Sequence, residues 1–199
     1  MASSSPLSQP AFTWLRDLLW PVTDGTHEVI ARYAVLSRGD RPRLVVPLGS
    51  KQAAAAALDR VTNDESTGRR MMRRLLATSA RAGVLLPLMR HRFVSTASAD
   101  GSLEGHLADA VGLDHVELAV TIGPPRPNRK PVIQIMNAAG ETKAYAKVGW
   151  NGLTRQLVAQ ETEVLRSVDR TRLRRLQRPA VVHSGAFRDL DLLVVQALE

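Results

Sequence analysis

The sequence predicts an α+β protein: an N-terminal α/β cap followed by a five-stranded antiparallel sheet that carries one helix. Three observations lead there. Downstream of His115 the chain alternates β-rich runs with turn signals, at 116–122, 132–136 and 143–148, then at 180–183 and 190–196. One amphipathic stretch, 151–168, interrupts that series and has helical periodicity. Upstream the texture differs, with helical and strand patterns mixed and a Ser/Gly/Asp linker at 95–102, so the boundary falls near 100–112. The organisation read from this is a disordered Ser/Pro tail at 1–10, the cap at 11–110 and the sheet unit at 111–199.

Within the cap, Phe12, Trp14, Leu15, Leu18, Leu19 and Trp20 fit a short docking helix stopped by Pro21. Two β-rich runs, 27–36 and 43–48, flank the turn-forming cluster 38–42 and read as a hairpin. Residues 52–60 include five consecutive alanines and favour a helix. Asp64, Glu65 and Ser66 would cap a further helix reaching about residue 82, which holds Arg69, Arg70, Arg73 and Arg74. A weak strand at 91–95 and a short helix at 103–111 complete the cap. In the sheet unit the first three strands are joined by hairpin connections, and Asn137, Ala138, Ala139 and Gly140 have turn chemistry.

Composition bounds the function. With 199 residues, 44% of them hydrophobic, 23% charged and a mean hydropathy of −0.12, the chain can bury a core. The absence of cysteine excludes disulfides, Fe–S clusters, thiolate zinc sites and cysteine nucleophiles. The net charge of +8 invites a polyanion reading, but only four of the 27 basic residues are lysines, an Arg and Ala bias typical of a GC-rich genome. Nucleic-acid binding through Arg69 to Arg74 or Arg170 to Arg178 is therefore the least favoured reading. No signal-peptide pattern opens the chain and nowhere do 18 apolar residues run together, so a soluble cytoplasmic protein without membrane contact is expected. The five histidines are scattered and fit no metal spacing, and neither a P-loop nor a nucleophile elbow occurs.

Two charged residues break their local patterns. Leu153, Leu157, Val164, Leu165 and Val168 form an apolar stripe on the helix, and Glu161 falls on it. A carboxylate facing a core needs a cation or a proton. In the third strand, alternation places Tyr145 and Lys147 on one face, and Lys147 is the nearest cation in sequence. From spacing alone, an ion pair and two unrelated surface charges both remain open.

The run KAYAKVG, followed by ETEVLRSV fourteen residues beyond its second lysine, resembles the strand-three lysine and αC glutamate of the protein-kinase-like superfamily, closest in style to the aminoglycoside-phosphotransferase branch. The ending RPAVVHSGAFRDLDLLVVQAL resembles the strand, turn and strand that lead into that family's hinge. The match covers about residues 113 to 199 and concerns the nucleotide-binding N-lobe only. The resemblance implies that Lys147 holds the α- and β-phosphates of ATP and that Glu161 orients it. It further implies adenine beneath the sheet against Tyr145, with backbone groups around Gln196 to Leu198 as hinge partners. Glu163 competes for the acidic role but falls off the stripe.

Three departures qualify what the resemblance implies. The loop IGPPRPNRKP has Gly123 as its only glycine and prolines at 124, 125, 127 and 131, which offer no N–H to a phosphate. Tyr145 stands where a small residue is common, so it narrows the pocket or stacks on the base. No H-x-D or H-G-D catalytic loop or following metal-binding Asp motif is present, and His106 with Asp109 has the wrong spacing. The expectation is therefore a kinase-type N-lobe without its C-lobe: nucleotide binding without phosphoryl transfer, no catalytic or metal residues, and Mg²⁺ only with a separately supplied C-lobe. Its uncovered sheet underside would call for a C-lobe-like partner or a homodimer. The alternative is a pseudokinase-like module for protein interaction.

Overall fold

A computed structural model describes residues 11–21, 28–38, 41–60, 78–81, 92–96, 101–124, 126, 128–167 and 177–198. Its elements are α1 (Ala11–Leu19), β1 (Val29–Arg38), β2 (Arg41–Pro47), α2 (Lys51–Arg60), β3 (Arg92–Thr96), α3 (Leu103–Val111) and β4 (Glu117–Thr121). They continue as β5 (Val132–Met136), β6 (Thr142–Gly149), α4 (Gly152–Ser167), β7 (Val181–Phe187) and β8 (Leu190–Gln196). No described helix is long and apolar enough to cross a membrane. The Arg69 to Arg74 cluster and residues 170–176 lie outside the described residues.

All eight strands form one antiparallel sheet in the order β3-β1-β2-β4-β5-β6-β8-β7. The expected sheet of five strands is thus part of a larger one. The join is short: β2 meets β4 only through Leu44 opposite Thr121 and Val45 opposite Val120, with Ile122 N–H donating to the Arg43 carbonyl just beyond. Such pairing satisfies the backbone groups that β4 would otherwise leave at a sheet edge. β7 forms one rim of the sheet, and its seven residues, VVHSGAF, carry no Asp, Glu, Lys or Arg.

Helices cover both faces. On one, Trp14, Leu15 and Leu19 of α1 and Leu103 and Leu107 of α3 pack on Val45, Leu118, Ile133, Ile135, Ala146 and Val148. This face is therefore covered by helices of the same chain. On the other face α2 and α4 lie side by side along the strand order. α2 packs Ala53, Ala54, Ala57 and Leu58 on Leu44, Val46, Ala119 and Met136, and α4 packs Val158 on Leu193 and Val195. Alanines without longer side chains let α2 lie close to the strands, so the propensity signal is also a packing signal. Its first turn is held by Ser50, whose hydroxyl accepts from Ala53 N–H (3.1 Å) and donates to the Ala138 carbonyl in the β5–β6 turn (2.7 Å). Gly140 in that turn has φ +81°, and an added Cβ would sit 2.7 Å from the Gln52 backbone, so glycine alone fits.

A buried carboxylate ties the first half of the chain to α3. Glu104, 2% exposed, accepts from Trp20 Nε1 (2.9 Å), from the Tyr33 hydroxyl (2.7 Å) and from the Ser95 hydroxyl (3.0 Å). These donors come from the end of α1, from β1 and from β3. Trp20, Tyr33 and Phe93 pack around them at ring separations of 4.9 to 5.2 Å. Burial first, and then the Glu104 charge, hold the Tyr33 hydroxyl well above its ordinary pKa, so it remains a donor. Because α3 begins at Ser102, whose hydroxyl accepts from Gly105 N–H (3.0 Å), Glu104 lies in the first turn where the helix dipole favours an anion. Replacing Glu104 by Ala strands three buried donors and should cost about 3–5 kcal/mol. Glu104→Gln keeps an acceptor oxygen and should cost less than half of that in urea unfolding at pH 7. Equal losses for the two variants would refute this role.

Candidate functional site

The site is assembled on the α2/α4 face of the sheet. Lys147 lies on β6, between Val132 of β5 and Leu193 of β8, and its ammonium donates to Glu161 Oε1 on α4. The two candidates are thus an ion pair. A second cation joins them: Lys130, two residues before β5, approaches Glu161 Oε2 at 3.4 Å. Two ammonium groups share one carboxylate, which leaves one positive charge in excess. Burial pushes the Glu161 carboxyl up, but its hydrogen bond to Lys147 and the charges of Lys147 and Lys130 outweigh burial, and its pKa is lowered.

Local sequence explains this placement. Gly149 ends β6, where an added Cβ would lie 2.8 Å from the Arg155 Cα, so α4 starts hard against the strand. Asn151 caps α4, its Oδ1 accepting from Thr154 N–H (2.8 Å), while the Thr154 hydroxyl accepts from the N–H groups of Trp150 and Asn151 (2.9 Å each). Lys130 is positioned from the opposite side. Trp150 Nε1 donates to the Arg129 carbonyl (2.8 Å), and the Arg129 guanidinium stacks over Trp14 at 4.1 Å. Arg129 is therefore engaged in packing, and Lys130 is the basic residue of this loop that reaches the pair.

The expected stripe of α4 needs correction. Leu153 and Val164 are exposed (46% and 58%), and the buried line is Thr154, Val158 and Thr162. Hydropathy misses it because both threonine hydroxyls are satisfied within the helix and its cap, as by Thr162 donating to the Val158 carbonyl (2.8 Å). Glu161 lies on the flank of that line, half-buried, and Glu163 is exposed.

Tyr145 shares the face of Lys147 two positions away, opposite Gln134 and Val195. The Arg60 guanidinium, from the last residue of α2, sits 3.3 Å from the centre of its ring. Nothing in the sequence pattern singles out Arg60, because the contact joins residues far apart in the chain. Gly123 lies two residues beyond β4, toward the Lys147 end of the strands, with open space where a Cβ would be, so no local packing requires glycine there. Gln196 lies toward the opposite end, paired with Ala144. The N–H groups of Gln196 and Ala197 already donate to the carbonyls of Ala180 (2.9 Å) and Lys143 (3.1 Å), and Leu198 is half exposed. The structure brings Lys147, Glu161 and Tyr145 together and sets Gly123 and Gln196 to Leu198 at the two strand ends.

A groove of about 660 Å³ opens on the other flank of α4, between the helix and the β7–β8 hairpin, lined by Val158, Thr162, Arg166, Ser184, Gly185 and Asp191 among others. Of the residues weighed from the sequence it includes Glu163, and neither Lys147 nor Glu161 lines it. His106 of α3 and His183 of β7 pack edge to face at 5.2 Å, and among the described residues no three His, Asp or Glu side chains converge as a metal site would require. Compared with protein-family models, curated proteins and solved structures, the chain matches none.

Because the Glu161 carboxyl is held below its unfolded pKa, its contribution to stability is present above the unfolded value and is lost as pH falls through the folded one. Wild type should therefore exceed Glu161→Gln in Tm at pH 7, and the gap should close below about pH 4. A gap that persists at pH 3 would show that the carboxylate charge is not its source.

Proposed function

We propose that this chain binds a nucleotide of the ATP type on the α2/α4 face, without transferring its phosphoryl group. The carrying observation is the Lys147–Glu161 pair between a central strand and the helix that follows it. A lysine held by a carboxylate is fixed in direction, and with Lys130 beside it the cluster keeps one uncompensated positive charge for a polyphosphate. Glu161 orients Lys147, Lys130 adds a second phosphate contact, and Tyr145 is the ring toward which the base would be directed, with the Arg60 guanidinium lying over it. The arrangement of three antiparallel strands, a helix and a hairpin whose β8 inserts beside β6 supports a kinase-type N-lobe. The proline-rich 123–131 loop has few N–H groups to cradle phosphate, so side-chain charge carries the recognition. No H-x-D or H-G-D base occurs in these 199 residues, and catalysis by them is not proposed. Mg²⁺ would arrive with the nucleotide or with a partner lobe.

A second reading, a non-catalytic protein-interaction module, is favoured by the groove between α4 and β7–β8, which is separate from the lysines. One titration separates the two. Mg-ATP at 100 times Kd should add about 2.7 kcal/mol of stability, several degrees in Tm for a chain of this size, and Lys147→Ala should abolish the shift. No shift at millimolar Mg-ATP would discard the nucleotide reading and leave the interaction module.

A further inference from the structure

We infer that Arg60 is a specificity-determining residue of this site: it closes the base side, so that the chain as folded selects a polyphosphate and ignores the base attached to it. The inference rests on the nucleotide reading above. Tyr145 and Lys147 lie on one face two residues apart, a separation of about 7 Å, so a ligand with phosphates at Lys147 and Lys130 directs its base toward Tyr145. Bases bind single aromatic rings by stacking, and a ring face accepts one planar partner at a time. Here that partner is already present, since the Arg60 guanidinium lies 3.3 Å from the ring centre. The contact comes from the C-terminal residue of α2, whose own position is fixed by Ser50 and the β5–β6 turn, and not from the strands that hold the lysines.

Arg60 can also leave. It is an exposed residue that ends its helix, although its guanidinium is partly desolvated against the ring, and a single cation–π contact is weak beside a strongly bound ligand. Displacing it carries a fixed penalty that a base has to overcome before gaining its own stacking. Phosphates incur no such penalty, because Lys147 and Lys130 lie outside the Arg60–Tyr145 contact. Closed, the site treats ATP and inorganic tripolyphosphate alike; open, it distinguishes them.

Calorimetric titration of the full chain with ATP and with inorganic tripolyphosphate, at equal Mg²⁺, tests this in wild type, Arg60→Ala and Arg60→Ala/Tyr145→Ala. Wild type should bind the two ligands within about twofold. Arg60→Ala should prefer ATP by at least about fivefold, the lower end of what one stacked base contributes, and the double variant should lose that preference. Arg60→Gln, which keeps a long side chain without the cation, serves if the alanine variant is unstable, with the same expected direction. An ATP preference equal in wild type and Arg60→Ala would overturn the gate and leave nucleotide binding standing. A preference present in wild type and lost in Arg60→Ala would overturn it by making Arg60 a platform for the base. Binding of neither ligand to any variant would remove both the gate and the nucleotide reading.

Discussion

The carboxylate of Glu104 is the constraint on which the arrangement of this chain depends. It accepts from three neutral donors belonging to three separate elements, and none of those donors has water to fall back on. An apolar residue there would leave the Trp20 indole, the Tyr33 phenol and the Ser95 hydroxyl unpaired at once. This network and the aromatic cluster around it fix β1 and β3 relative to α3, and hence the first three strands relative to the other five. Hydrophobic burial supplies most of the stability, but it is non-directional. The four-residue network specifies the register in which that burial occurs.

The candidate site depends on the opposite face and on different chemistry. There the polar groups are half-exposed, charged and only partly neutralised, with Lys130 and Lys147 sharing Glu161. The contrast is physical: a buried acid with fixed neutral donors is a structural device, whereas an accessible cluster with excess charge retains capacity for a ligand. α2 ties the first half of the chain to this site. It is anchored at its first turn to the β5–β6 turn and reaches Tyr145 with its last residue, so the N-terminal elements enter the site through Arg60.

Much of the second half was legible in the sequence because its signals are local. Turn residues and alternation give β4, β5, β6 and β8, helical periodicity gives α4, and period-two alternation places Tyr145 with Lys147, whereas β7 runs on to Phe187 beyond the expected 180–183. The Lys147–Glu161 pair was open between two readings and could be closed only by the docking of α4 at Gly149. What remained hidden was long-range. The β2–β4 junction consists of two residue pairs with no turn between them, and Glu104 looks like an ordinary polar residue in the first turn of a short helix. Arg60 sits at the end of an alanine helix where solvation is the default reading. On α4, Thr154 and Thr162 carry the buried line under polar names, and this displaced the expected stripe onto exposed Leu153 and Val164.

The rim strand β7 bears on how copies of this protein behave toward one another. A rim strand presents backbone donors and acceptors that can template another chain, and side-chain charge is the common defence. VVHSGAF has none, and Val182 is 43% exposed beside a break in register. Protection falls instead to that irregularity, which disturbs the template, and to the net charge of +8, which keeps like molecules apart over distances set by the ionic atmosphere. That atmosphere shrinks from about 10 Å at 0.1 M salt to about 3 Å at 1 M. Charge repulsion from the arginine-rich remainder of the sequence thus opposes pairing at this rim, and the same composition that suggested a polyanion partner also acts between copies of the molecule.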